Sequence, residues 1–205
     1  MEGLTGQHPI VLERWSRLGV LSDSHVPHRL PALPKRVLEL LEGCDAILHA
    51  GDLEAPDILV ELSRVAPTYA VRGNLHWQFS TGTHDQDLPL SLLFQAGPHV
   101  IWLTHGHLRF RYLVLDKVSR RYQFDTPEQL NDHLIRRLAD WRPPQANIVI
   151  FGHSHFACAT RWDGVLYFNP GAVVGLCYRS HTQSPRVGVL HLGSDGDVRW
   201  EWREL

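Results

Sequence analysis

The sequence predicts an α/β fold in which two β-sheets pack together with helices outside. Three observations carry this. The first 75 residues alternate apolar strand-like runs with helical stripes, β-α-β-α-β, the pattern of a parallel sheet with crossover helices. The second half is rich in short apolar runs and hairpin turns. The 205 residues, 43% hydrophobic and 20% charged, have the composition of one globular unit and not of a disordered chain.

The elements follow in order. Residues 1–15 lack a clear period and are expected as an N-terminal extension, with 16–205 as a single domain. Leu18-Gly-Val-Leu21 reads as a buried strand running into Ser22-Asp23-Ser24-His25. Leu33, Val37, Leu40 and Leu41 form one helical stripe, with Pro31 and Pro34 near its start and Gly43 at its end. Asp45–His49 is a second strand, ending at Gly51-Asp52. Pro56–Val65 is a second helix, and Thr68–Val71 a third strand, ending at Gly73-Asn74.

Leu90–Phe94 and Val100–Thr104 flank Gly97-Pro98 as a hairpin, while 108–124 fits either a strand or a loop and helix. Thr126-Pro-Glu-Gln129 is a capping box with Pro at the first helical position. Leu130, Leu134, Leu138 and Trp141 continue that helix until Pro143-Pro144 stops it. Strands are expected at Ile148–Phe151, Ala157–Arg161, Val165–Phe168 and Val187–Leu192, with Val198–Trp202 last; Asp163-Gly164 and Asp195-Gly196 are hairpin signals.

Composition excludes several classes. A formal net charge of −2 makes no electrostatic case for nucleic acid or a membrane surface. Three cysteines without a C-x-x-C argue against a disulfide framework or a Cys-based zinc site. No apolar run approaches the ~20 residues of a membrane span, and residues 1–20 lack the apolar centre of a secretory signal. The expectation is a cytoplasmic protein. Trp200 and Trp202 are expected to pack in the core or sheet, an interface being the alternative.

The count that stands out is histidine, at 14. Half of them follow strand ends. Asp23 and His25 follow the first strand, His49 and Asp52 the second, and Asn74 and His76 the third. His105 and His107 end Val100–Thr104, His153 and His155 end Ile148–Phe151, and Asn169 ends Val165–Phe168. The carboxyl ends of strands in open α/β sheets form the ligand crevice, so distant side chains can converge there. Asp23-Ser-His25, Gly51-Asp52 and Gly73-Asn74 alone read as turn or cap chemistry, and His105 and His107 alone as surface residues; Gly152-His-Ser-His155 is a compact chelating unit, and the joint order is what points to a site. Two Asp, one Asn and several His give mixed nitrogen and oxygen ligation, which suits Mn²⁺, Fe or Zn²⁺ better than Mg²⁺ or Ca²⁺.

These residues resemble the calcineurin-like metallophosphoesterases. The pieces are Asp23-Ser-His25, Gly51-Asp52, Gly73-Asn74, His105 and Gly152-His-Ser-His155, with Asn169-Pro-Gly171 beyond. His49-Ala-Gly-Asp52 and Thr104-His-Gly-His107 resemble the small prokaryotic phosphodiesterase branch, which includes the retromer scaffold subunit. The resemblance implies a four-layer α/β/β/α sandwich of mainly mixed sheets, and reads 16–205 as one metallophosphoesterase domain with an insertion around 108–145. It implies two divalent ions, Mn²⁺ favoured, with Fe, Zn²⁺ or Ni²⁺ as alternatives. Asp23, His25 and His155 would hold one ion and Asn74, His105 and His153 the other. Asp52 would bridge them, and a bridging hydroxide would attack phosphorus in line. His49, His107 and Asn169 would support the site or meet substrate.

The departures set the expected reaction. Gly51-Asp52 continues as Leu-Glu-Ala, without the G-D-x-x-D-R-G run of the protein Ser/Thr phosphatases. The position after Asn74, where a leaving-group acid often stands, is Leu75; His76 is the candidate for that proton, with a peripheral role as the alternative. Ala172 replaces a usual Ser. Arg109, Arg111, Arg120 and Arg121 are either phosphate contacts or a solvated basic face. The expected activity is phosphodiester cleavage. The alternatives are phosphomonoester cleavage and a non-catalytic protein-binding scaffold, with an oligomer compatible with each. A mononuclear zinc hydrolase ranks last, since H-E-x-x-H is lacking, and no G-x-S-x-G supports a serine hydrolase.

Overall fold

Strand parity builds the layers, because successive side chains point to opposite faces. In Arg17–Leu21 (β2), Leu18 and Val20 enter one cluster and Leu21 another. In Ala46–His49 (β3), Ala46 and Leu48 join the first cluster and Ile47 the second. The structure is a computed structural model that describes residues 8–55, 57–74, 88–107, 124–178 and 180–205.

Five strands form one sheet in the order β13-β12-β2-β3-β4, where β4 is Thr68–Ala70, β12 Arg186–Leu192 and β13 Val198–Glu204. Six form the other, in the order β1-β5-β6-β7-β9-β8. Here β1 is Ile10–Val11, β5 Ser91–Ala96, β6 His99–Thr104, β7 Ile148–Ile150, β8 Cys158–Trp162 and β9 Val165–Asn169. The central cluster joins Leu18, Val20, Leu48 and Leu190 to Phe94, Ile101, Ile150 and Phe168, so the main core lies between the sheets. Helices Lys35–Leu41 (α1) and Asp57–Ser63 (α2) cover the outer face of the five-stranded sheet, packing Val37, Leu41, Ile58 and Leu62 with Ile47, Val187 and Val189. Helix Pro127–Trp141 (α3) covers the six-stranded sheet, packing Leu130, Leu134 and Leu138 with Trp102, Val149 and Tyr167. This is the expected four-layer sandwich.

The β-α-β-α-β reading corresponds to the parallel pairs β2–β3 and β3–β4. The hairpin at Gly97-Pro98 joins β5 and β6 antiparallel. Thr126 caps α3: its hydroxyl accepts from Gln129 N, and the Gln129 side chain accepts from the Thr126 backbone.

Three pairings depart from the chain-order reading. β12 returns to the first-half sheet and pairs antiparallel with β2, with Leu190 opposite Leu18. Ile10 and Val11, in the segment expected as an extension, pair in parallel with Phe94 and Gln95; two residues are too few to show a period. Leu176–Tyr178 (β10) and His181–Gln183 (β11) form an unanticipated hairpin. Trp202 stacks on Phe168 at 5.8 Å and donates its indole N–H to the Asn169 carbonyl at 3.2 Å, a packing role. Among the described residues, no helix is long and apolar enough to cross a membrane. Arg109, Arg111, Arg120 and Arg121 lie outside the described residues.

Candidate metal centre

The ends of β2 and β3 meet those of β6 and β7, and each strand hands over to a loop bearing chemical residues. The loops are strained in a repeated way. Asp23 and His25 have φ of 54° and 47°, Asp52 and Glu54 59° and 75°, and His153 and His155 72° and 65°. Left-handed backbone at a non-glycine residue is uncommon and persists where its surroundings over-determine it. Here it recurs at residues i and i+2 of three loops from both sheets.

Two glycines permit the loops to approach. Gly51 has φ of +96°, and a Cβ there would lie 2.6 Å from His105 Nδ1 and 2.9 Å from the Gly73 Cα. A Cβ on Gly152 would overlap the Ser22 hydroxyl and lie 3.0 Å from the Ala50 carbonyl oxygen. The glycines of the G-D and G-H pairs are therefore where the two sheets touch.

The polar side chains fall into two adjoining groups. Asp23, His25, Asp52 and His155 each offer a ligand atom, all within 4.8 Å of one another; His105, His107 and His153 do the same. His155 Nε2 is 3.2 Å from Asp23 Oδ1, and His25 Nε2 is 3.3 Å from His155 Nε2 and 3.6 Å from Asp52 Oδ2. His105 Nε2 joins the groups, 3.4 Å from Asp52 Oδ2 and 4.0 Å from Asp23 Oδ1. Donors bonded to one ion at about 2.1 Å stand about 3.0–3.4 Å apart at right or tetrahedral angles, so the shorter of these separations suit a shared cation.

The atoms facing the centre are those the protein leaves over. Asp23 Oδ2 accepts from the Ser22 hydroxyl at 2.6 Å and from His153 N at 3.2 Å, whereas Oδ1 makes no hydrogen bond. His105 Nδ1 donates to the Ala50 carbonyl at 2.6 Å, which leaves the lone pair of buried Nε2 facing Asp52, again without a hydrogen bond. Asn74 gives its backbone N–H to Asp52 Oδ1 at 2.5 Å and its side-chain amide to Oδ2 at 2.8 Å; its own Oδ1 accepts nothing. Buried lone pairs aimed at one another are costly unless a cation lies between them. The residues present therefore fit divalent metal.

Electrostatics agree. Burial would lower the His105 pKa, but the Asp52 and Asp23 carboxylates and the Ala50 carbonyl outweigh it and raise it to about 9. Burial acts to raise the Asp23 pKa, yet the neighbouring His155 and His105 rings bring it well below the usual carboxylate range. A place that stabilises positive charge on an imidazole also attracts a cation. His49 is the opposite case: burial pushes its pKa down to about 3, against the pull of the carboxylates.

Other expected site residues have structural surroundings. The His49 ring lies 3.1 Å from the Ser24 hydroxyl and accepts from Gly51 N at 3.2 Å, tying the β2 and β3 loops together. Asn169 donates to the Gly152 carbonyl at 3.1 Å and the Ser154 hydroxyl at 3.0 Å, and accepts from Gly171 N at 2.8 Å, clamping the Gly152–His155 loop. His107 sits within the histidine group. His76 and Leu75 lie outside the described residues.

Two contributors were not anticipated. Buried Glu54 holds His25 Nδ1 at 2.7 Å and also pairs with His28. Its signal in the sequence is Asp52-x-Glu54, an i, i+2 repeat of Asp23-x-His25. Arg137 of α3, nearly buried, donates to the Gly106 carbonyl at 2.9 Å, between His105 and His107. No motif marks it.

The calcineurin-like phosphoesterase superfamily domain matches residues 17–195. A "probable metallophosphoesterase" from Methanothermobacter thermautotrophicus is 31% identical over 155 residues, 76% of each chain. Vacuolar protein sorting-associated protein 29 (Vps29) of Schizosaccharomyces pombe is 26% identical over 160 residues, 76% of this chain and 71% of that protein. Among solved structures, wild-type Vps29 complexed with Zn²⁺ from Entamoeba histolytica shares the fold, with a TM-score of 0.59 and 23% identity over 92% of this chain and 98% of that one. The donor loops and the match across most of the chain lead to one conclusion: it belongs to the calcineurin-like phosphoesterase superfamily.

Proposed function

We propose that this chain is a cytoplasmic two-metal hydrolase of phosphate esters that prefers diesters. The carrying observation is the convergence of Asp23, His25, Asp52 and His155 beside His105, His107 and His153. Asp23, His25 and His155 would hold one divalent ion, His105, His153 and Asn74 the other, and Asp52 both. Mn²⁺ is favoured, with Fe, Zn²⁺ and Ni²⁺ compatible with the same donors. The bound ions would draw charge off the phosphate and make water more acidic. The chain's own part is positioning. Asn74 orients both oxygens of Asp52, Ala50 orients His105, and Glu54 orients His25.

The diester preference rests on Leu75, which follows Asn74 and has no proton to give a leaving oxygen. His76 is the candidate acid in its place. The reading predicts that metal-stripped protein reloaded with Mn²⁺ cleaves bis-nitrophenyl phosphate faster than nitrophenyl phosphate. It also predicts that Asp52→Asn loses at least about 100-fold in rate. Faster monoester cleavage overturns the diester preference, and unchanged turnover in Asp52→Asn overturns the site.

The similarity to Vps29 favours a second reading, a protein-binding scaffold on the same fold. Metal uptake does not separate the two, since a Vps29 has been solved with Zn²⁺. A stable partner complex with no hydrolysis under any divalent ion would establish the scaffold.

A further inference from the structure

We infer that the cavity between the carboxyl end of α3 and the β8–β9 hairpin binds a small organic cation, an alkylammonium group seated on the Trp162 indole and paired with Asp163. The cavity has a volume of about 360 Å³ and is lined by Ala139, Arg142, Trp162, Asp163, Val165 and Tyr167. Small-molecule sites usually span roughly 300–1,000 Å³. This one is separate from the metal centre. Strand β9 runs from Val165 at the cavity to Asn169, which clamps the Gly152–His155 loop. Four steps of ~3.3 Å put those two ends about 13 Å apart.

The cavity exists because a helix stops early. Trp162 pairs with Val165, and Thr160 with Tyr167, across the β8–β9 ladder. Trp162, Val165 and Tyr167 therefore share one sheet face. It is the face that α3 covers, since Val165 and Tyr167 pack with Leu134 and Leu138. But α3 ends at Trp141, just before Pro143-Pro144, and leaves the hairpin end of that face open. Trp162 is 44% exposed as a result, against 1% for Tyr167. The two rings stand 6.5 Å apart with their planes inclined at 44°, two walls of a corner.

Charge selects the occupant. An aromatic face attracts a cation, and indole does so most strongly. The Asp163 and Asp140 carboxylates make no ion pair and no hydrogen bond among the described residues. Both bear on the Tyr167 phenol: burial raises its pKa, Arg142 acts against this, and the two carboxylates act with it. The guanidinium in the lining is already engaged. Arg142 Nη1 donates to the carbonyls of Pro143, Pro144 and Ala146 at 3.1, 3.0 and 2.6 Å. What is left over is an aromatic face and unanswered negative charge, which an ammonium satisfies and an anion does not. The turn residues Asp163 and Gly164, with φ of 51° and 74°, set the carboxylate at the hairpin tip directly after Trp162.

The test uses the full chain with Zn²⁺ present, so that the carboxylates of the metal centre do not compete for the cation. Choline and its uncharged isostere, with carbon in place of the quaternary nitrogen, are each titrated by calorimetry. NMR follows the Trp162 indole N–H signal, identified by its loss in Trp162→Leu. Choline is expected to bind saturably and shift that signal, and the isostere to bind at least about fivefold more weakly. Trp162→Leu keeps an apolar wall without the indole, and is expected to weaken choline at least about fivefold. Asp163→Asn is expected to weaken it about three- to tenfold, and Asn tolerates the left-handed turn position. No saturable choline binding, or equal binding of choline and the isostere, overturns the proposal, and that arm needs no variant to fold. So does choline binding unchanged by both substitutions. Inorganic phosphate that shifts the same indole signal where choline does not makes this an anion site and overturns it. A dimer that Trp162→Leu dissolves places a second copy of the chain in the cavity, with the same consequence.

Discussion

Glu54 holds the Nδ1 side of the His25 ring at 2.7 Å, so that Nε2 faces Asp52 and His155. The carboxylate can only accept, which puts the imidazole proton on Nδ1 and the lone pair on Nε2. Carboxylates behind metal-binding histidines act in this way, fixing the tautomer and raising basicity. Glu54→Ala is expected to weaken the tighter metal step by about 10–100-fold, and Glu54→Gln by less, because the amide oxygen can still accept. Calorimetric titration with Mn²⁺ reads both. Unchanged affinity in Glu54→Ala would reduce Glu54 to a partner of His28.

Asn169 binds the carbonyl of Gly152 and the hydroxyl of Ser154 and lies at 0% exposure. Asn169→Leu keeps the volume but leaves those groups unmatched. Buried groups left without partners cost about 1–3 kcal/mol each. The variant is expected to unfold at lower urea, with weaker metal binding because His153 and His155 ride on the released loop. Chemical denaturation and metal titration of one sample check both effects.

Arg137 ties α3 to the His105–His107 turn through Gly106. A hydrogen bond to a charged donor contributes about 1.5–3 kcal/mol, and the loss in Arg137→Met is expected within that range. Metal affinity should fall with it, because that turn carries His105. Metal affinity unchanged alongside lower stability would limit Arg137 to packing.

His49 supplies a pH dependence. Burial first of all depresses its pKa to about 3, below its unfolded value of 6.5. The unfolded chain therefore binds a proton that the folded chain refuses. The stability from keeping this ring neutral is present above about pH 6.5 and is lost as pH falls from there toward 3. In metal-free protein, His49→Gln is expected to flatten the fall in stability between pH 6 and pH 4. Urea midpoints across that interval test it, and parallel curves for the two proteins would reject it.

Much of this was legible along the chain. Continuous apolar runs in β3, β7 and β9 announced strands buried on both faces, and Thr126 with Gln129 announced the start of α3, because each signal is carried by neighbours in sequence. The order Asp23, His25, Asp52, Asn74, His105, His153, His155 announced the site for a similar reason: each residue lies in the short polar loop that follows a strand end. Glu54 and Arg137 stayed hidden. Glu54 acts through His25, 29 residues away, and Arg137 through a backbone carbonyl 31 residues away. Backbone partners leave no mark on residue type.

The return of β12 to β2 was equally silent. An apolar strand states that it is buried, not beside which strand, since hydrogen bonds to a ladder are alike for every neighbour. The sequence by itself thus determined the element types, the layering implied by strand and helix periods, and the donors available to a metal. Only the tertiary structure decided which donors share an ion position, which ring nitrogen faces the centre, and which polar residues instead hold loops. Those outcomes depend on distances of a few ångströms between atoms of different strands, set when Gly51 and Gly152 let the two sheets close on each other.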